Sequence, residues 1–211
     1  MPVGPTRRRS LIGLGALAIV AVGAVAVYVS LDAAGNQASA ACAAAVTKAD
    51  AVEPFAVGEL AAFRTVTRAI DASALSFERP DGSPVAMADF AGKTILLNLW
   101  ATWCAPCLAE MPALAALQAE AGSDAFEVVT VNMDPNNRPA DWLAQNDVAL
   151  PLYVDPRLSL LNDTRTFGTV GGLPTTFLID EDNCLIGLIE GPAEWNGRDA
   201  HRLINAALDE S

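Results

Sequence analysis

Histidine is almost missing from this chain: His201 is its one example in 211 residues. A structural zinc site wants four His or Cys ligands at paired spacing. The four cysteines offer one close pair, Cys104 and Cys107, while Cys42 and Cys184 stand alone in sequence, so no metal or other cofactor is expected. Basic side chains are also scarce, 13 Lys and Arg against 25 Asp and Glu. Arg7, Arg8 and Arg9 precede residue 32, which leaves 10 basic and 25 acidic residues in the remaining 180 and a formal charge of −15 there. That charge excludes nucleic acid and anionic lipid surfaces as partners of this part; solubility is the plain reading of its acidity. No internal repeat is present, and 52% hydrophobic content suffices for one medium-sized core plus an appendage.

Long apolar runs are absent but for one. Leu11 to Leu31 holds 21 residues without a charge, and at about 1.5 Å per residue a helix of that length reaches the ~30 Å of a bilayer core. The arginines just before it predict a cytoplasmic N-terminus at 1–10, a transmembrane anchor at 11–31 and export of everything after it to the periplasm, from the inner membrane. A cleaved signal peptide is the competing reading, with Ala38-Ser39-Ala40 as its small-residue box. That box lies seven residues beyond Leu31, and the run is long for such a signal.

Residues 32–73 read as an Ala-rich stem, with helical stretches near Cys42 to Asp50 and Val57 to Val66, that wraps onto a domain at 74–211. Pro80-Asp81-Gly82-Ser83 marks a hairpin turn. Thr94 to Trp100 predicts a buried strand, Glu110 to Ala121 a helix and Phe126 to Met133 a second strand, which together form a βαβ unit. Further on, Pro139 to Asn146 and Arg157 to Phe167 are helix candidates around a short strand at Leu150 to Val154. Thr175 to Asp180 and Cys184 to Glu190 pair around Glu181-Asp182-Asn183, and Gly197 to Leu208 closes the chain as a helix.

Cysteines three apart at a helix start sit about one turn from each other, within disulfide reach. At Trp103-Cys104-Ala105-Pro106-Cys107 the first cysteine meets unpaired helix N–H groups and the positive dipole end, which favours its thiolate and makes Cys104 the attacking nucleophile. Pro106 fits the first turn, where its missing N–H has no helical partner. Pro112 lies deeper and predicts a kink. Trp103 is expected beside the site, shaping a docking surface, and Trp100 in the core.

Asn98 to Pro112 (NLWATWCAPCLAEMP), with Leu173-Pro174-Thr175-Thr176-Phe177 ahead of a strand, resembles the thioredoxin superfamily, specifically its TlpA-like branch of anchored periplasmic proteins. The likeness spans 74–211 and is greatest for the rhizobial members, which carry a second cysteine pair. It implies an α/β thioredoxin-like fold with an N-terminal extension and a central αβ insertion. By the same likeness Cys42 and Cys184 are bridged; the spacing allows that pairing, and two inert buried thiols are the plainer alternative. Pro174 matches the superfamily's cis-proline, which would set the Leu173 backbone beside the sulfurs. Glu110 matches a glutamate that moves protons for the buried thiol, against the plainer reading of a solvated helix residue. The buried aspartate of plain thioredoxins is replaced by Asn98, which cannot act as a base.

The resemblance implies thiol-disulfide exchange in the reducing direction, fed by a transmembrane thiol electron donor. It implies protein disulfide substrates in copper-site or cytochrome c biogenesis, such as a copper chaperone and a copper-bearing oxidase subunit. A disulfide-forming oxidant would share every one of these residues and differ only in which redox form is the more stable. A copper-binding chaperone using the same thiols would want a supporting His or Met beside them.

Overall fold

The computed structural model describes residues 42–134, 138–169 and 171–208. Among these no helix is long and apolar enough to cross a membrane. The expected N-terminal segment 1–10 and anchor 11–31 lie outside the described residues.

An eight-stranded mixed sheet organises the molecule, in the order β1-β8-β7-β4-β5-β6-β2-β3. Its centre is β4 (Thr94–Trp100), buried at every position. It pairs parallel with β5 (Phe126–Asn132) and antiparallel with β7 (Thr175–Ile179). A strand covered on both faces has no solvent side on which to place polar residues, hence the apolar run that made it legible, broken only by Thr94 and Asn98. Between β4 and β5 runs helix α2 (Ala105–Ala121), which completes the βαβ unit. It begins at Ala105, five residues earlier than its apolar spacing indicated, and continues through Pro112.

β2 (Ser76–Glu78) and β3 (Pro84–Ala86) form the hairpin expected around Pro80–Ser83. The insertion between β5 and β7 comprises α3 (Pro139–Gln145), β6 (Leu152–Val154) and α4 (Ser159–Asp163). β6 extends the sheet parallel to β5. β8 (Leu185–Glu190) pairs with β7, and α5 (Arg198–Ala207) ends the described chain. Ala200, Leu203, Ile204 and Ala207 of α5 are buried, the 3.6-residue spacing of a core-facing stripe.

Within the described residues, 42–73 pack onto this core. Helix α1 (Ala43–Val52) buries Ala45, Ala49 and Val52, and Cys42 is bonded to Cys184 across 142 residues. The second stem helix expected over Val57 to Val66 is not formed. Gly58 adopts φ +57°, a short 3-10 turn ends at Leu60, and the chain extends into β1 (Arg64–Thr65), which pairs with β8. The β-branched Thr65 and Val66 suit that conformation. Gly187 admits it: a Cβ there would stand 2.5 Å from the Phe63 ring and 2.7 Å from the Arg64 carbonyl.

Candidate active site

Cys104 and Cys107 sit where β4 hands over to α2. Cys104 is the N-cap of that helix, and the Cys107 N–H donates to its Sγ at 3.3 Å. The two sulfurs are bonded to each other, with Cα atoms 5.3 Å apart. Both cysteines are buried, while Ala105 and Pro106 between them are exposed. Trp103 is 67% exposed, so an apolar ring stands in solvent next to the attacking position. Trp100 is fully buried and packs on Trp142.

The Leu173-Pro174 bond is cis. β7 begins at Thr175, directly opposite Leu99 near the end of β4, so Pro174 and the cysteine loop share one end of two adjacent strands. Leu173 is half-buried and Pro174 buried. The Pro174 carbonyl accepts the Gly191 N–H at 2.9 Å, which ties this loop to the turn after β8.

That turn also reaches Glu110. One helical turn after Cys107, Glu110 is only 3% exposed and its carboxyl meets three donors. Asn98 Nδ2 donates to Oε1 at 2.8 Å. The Ala193 N–H and Trp195 Nε1 donate to Oε2 at 3.0 and 3.3 Å. Removal from water pushes this carboxyl up from its ordinary 4.5 to about 7, against those three bonds, which favour the ionised form. A carboxyl poised there can hold a proton or release it at neutral pH. It lines an open cleft of about 250 Å³ walled by Ala109, Ala113, Pro192 and Ala193, through which protons can exchange with solvent.

Asn98 also donates to Thr176 Oγ1 at 2.9 Å, so the residue in the aspartate position of plain thioredoxins is a bridge from β4 to both Glu110 and β7. Sequence reasoning placed Cys104, Cys107, Glu110 and Pro174 at the site but missed Ala193 and Trp195. The one signal for them was an aromatic shortly after a Gly-Pro turn, with nothing local to direct it at Glu110.

Residues 69–206 match the Redoxin family, about two thirds of the chain. The chain belongs to the Redoxin family. It is 32% identical over 115 residues to the thiol-disulfide oxidoreductase ResA of Oceanobacillus iheyensis, covering 54% of this chain and 58% of that relative. ResA of Bacillus thuringiensis subsp. konkukian is 32% identical over 112 residues, covering 53% of this chain and 62% of that one. The chain thus spans about six tenths of these curated relatives. Among solved structures, a thioredoxin-family thiol:disulfide interchange protein from Chlorobium tepidum TLS superposes with a TM-score of 0.57 at 27% identity, covering 68% of this chain and 99% of that one. A candidate DsbE from Chlorobium tepidum gives a TM-score of 0.54 at 30% identity, covering 65% and 95%. The Redoxin domain is therefore thioredoxin-like in fold as well as in sequence, with its bonded cysteine pair at the start of α2.

Proposed function

We propose that this Redoxin protein is a thiol-disulfide oxidoreductase that reduces protein disulfides on the periplasmic side of the inner membrane, held there by residues 11–31. The observation that carries the reading is the stack at the head of α2: Cys104 at the N-cap, Cys107 one turn on, and the buried Glu110 one turn beyond that. The descriptions of the ResA and DsbE relatives support it.

In the reduced protein the Cys104 thiolate, facing the helix N-terminus, attacks one sulfur of a partner's disulfide and expels the other as a thiolate. Cys107 then attacks Cys104 in the mixed disulfide and gives up its proton to Glu110. The partner leaves with both sulfurs reduced as thiolates, which take up one proton passed on from Glu110 and one from solvent, and the protein keeps the two-electron oxidised Cys104–Cys107 bond. A transmembrane dithiol donor restores it. The TlpA-like motifs favour partners that must present free thiols to copper or haem, a copper chaperone or a copper-bearing oxidase subunit among them.

The test is the equilibrium reduction potential of the Cys104–Cys107 pair in the full chain, in glutathione or dithiothreitol buffers, with thiol labelling resolved by mass spectrometry. A value near or below that of thioredoxin, about −270 mV, supports the reductase; one near −120 mV would make it a disulfide-forming oxidant instead.

A further inference from the structure

Two arginines of this acidic chain line one groove at the edge of the sheet. Strand β1 is the outermost strand of the sheet at the β8 end and pairs only with β8 among the described residues. Beside it runs a groove of about 220 Å³ whose lining includes Arg64, Thr65, Thr67, Arg68, Phe167 and Leu188 and contains two arginines but no carboxylate. Arg64 is paired with Glu190, which reaches it from outside that lining, at 2.9 Å. The exposed Arg68 donates instead to the Thr166 carbonyl at 2.8 Å, a neutral acceptor, and no ion pair joins it among the described residues. The Asp71 carboxylate, three residues on, accepts the Ser73 N–H. Arg165 lies outside that lining, two residues before Phe167, and its exposed side chain sets its guanidinium against Gly171 of the loop leading to Pro174.

Among the described residues the backbone of β1 along this groove is also unpaired on its outer side. The Val66 N–H donates to the Ile186 carbonyl, which makes Val66 and Ile186 a hydrogen-bonded pair of the antiparallel ladder. Thr65, opposite Gly187, is then in a non-bonded pair, and its N–H and C=O point away from β8. A strand edge left open among the described residues, with the Arg68 guanidinium beside it, fits an extended, negatively charged polypeptide, which adds backbone hydrogen bonds to the edge and a carboxylate to the arginine.

We infer that the β1 edge, with Arg68 and Arg165, is a docking groove for an acidic extended segment of the disulfide-bearing partner. The identity of that partner rests on the exchange function proposed above; the groove and its charge do not. The segment would lie on the face reached by the loop before Pro174, so that it tethers the partner beside the cysteines rather than at them.

The experiment is fluorescence anisotropy of labelled, cysteine-free peptides against the oxidised full chain in mild detergent at low salt. One peptide alternates Glu and Thr, a second Gln and Thr, a third Lys and Thr. The acidic peptide should bind, weaken as salt is raised, and lose roughly three- to tenfold in affinity in Arg68→Glu and in Arg165→Glu. Thr65→Pro, which removes an outward N–H that no described strand uses, should weaken it too while leaving the salt dependence in place. Arg165 makes no hydrogen bond to a neighbouring strand among those described, so that variant stands if Arg68→Glu fails to fold. Equal binding of the acidic and Gln peptides, or unchanged affinity in both charge reversals, would overturn the proposal. Reduction of a neutral peptide disulfide by the reduced chain, run alongside, reports on the exchange function separately. Its failure would remove that function and leave the groove to be decided by the anisotropy.

Discussion

Replacing Glu110 by Gln puts the buried carboxyl to a thermodynamic test. Burial lifts its pKa from 4.5 to about 7, so the native state holds the proton to a higher pH than the unfolded chain does. Stability from this source is complete below pH 4.5, falls as pH rises toward the folded pKa and is flat above about 7. At about 1.4 kcal/mol for each pH unit between those limits, the parent loses about 3 kcal/mol. Gln does not titrate. Its amide NH2 faces a pocket of three donors, so the variant carries an offset on the order of 1–3 kcal/mol that is independent of pH. The measurement is urea unfolding of the oxidised full chain in mild detergent, followed by tryptophan fluorescence between about pH 5 and pH 8. In that form Cys104 and Cys107 are bonded and do not titrate. Burial also raises the Asp180 carboxyl, but that contribution is common to both proteins and cancels in the difference. The parent-minus-variant stability should therefore shrink by most of those 3 kcal/mol across the range. A difference that stays constant with pH would refute the argument, because it would mean that Glu110 is ionised in both states throughout.

Other consequences can be measured as readily. Trp195→Phe deletes a donor that favours the ionised Glu110, so the pH at which stability levels off should move upward; a downward move would show that the indole acts otherwise. Changing Cys42 and Cys184 together to Ser opens a loop closed over 142 residues and should cost about 2–4 kcal/mol in urea unfolding. The reduction potential of Cys104 and Cys107 should stay where it was, since the two bonds lie in separate hydrophobic clusters.

What the sequence made legible was whatever a short window encodes. A seven-residue stretch with five large apolar side chains gave β4, and a Cys-x-x-Cys pair with Pro between gave the head of α2. The Cys42–Cys184 bridge came only through likeness to other proteins, because two isolated cysteines say nothing of each other across 142 residues. The stretch from Val57 to Val66 failed for the converse reason. Its apolar spacing suits a helix, but the positive φ at Gly58 and the edge offered by β8 draw the chain out into a strand, an example of tertiary pairing overriding local periodicity.

Asn98 shows most clearly where local reading stops. Its identity indicated only that a base was missing from β4. In the fold its Nδ2 is shared between Glu110 and Thr176, and Glu110 takes its remaining donors from Ala193 and Trp195, more than eighty residues away. An aspartate at 98 would place a second carboxyl within hydrogen-bonding distance of Glu110 in a water-poor site. Two such groups cannot both ionise cheaply, and their titrations would become a property of the pair. With Asn98 in its place, one carboxyl titrates there and its protonation near neutral pH is set by burial against three fixed donors. The loss of the aspartate from the strand and the presence of the glutamate on the helix are thus one arrangement of charge: the proton-holding group moves from β4 to α2, one turn from Cys107, the thiol that has to release its proton.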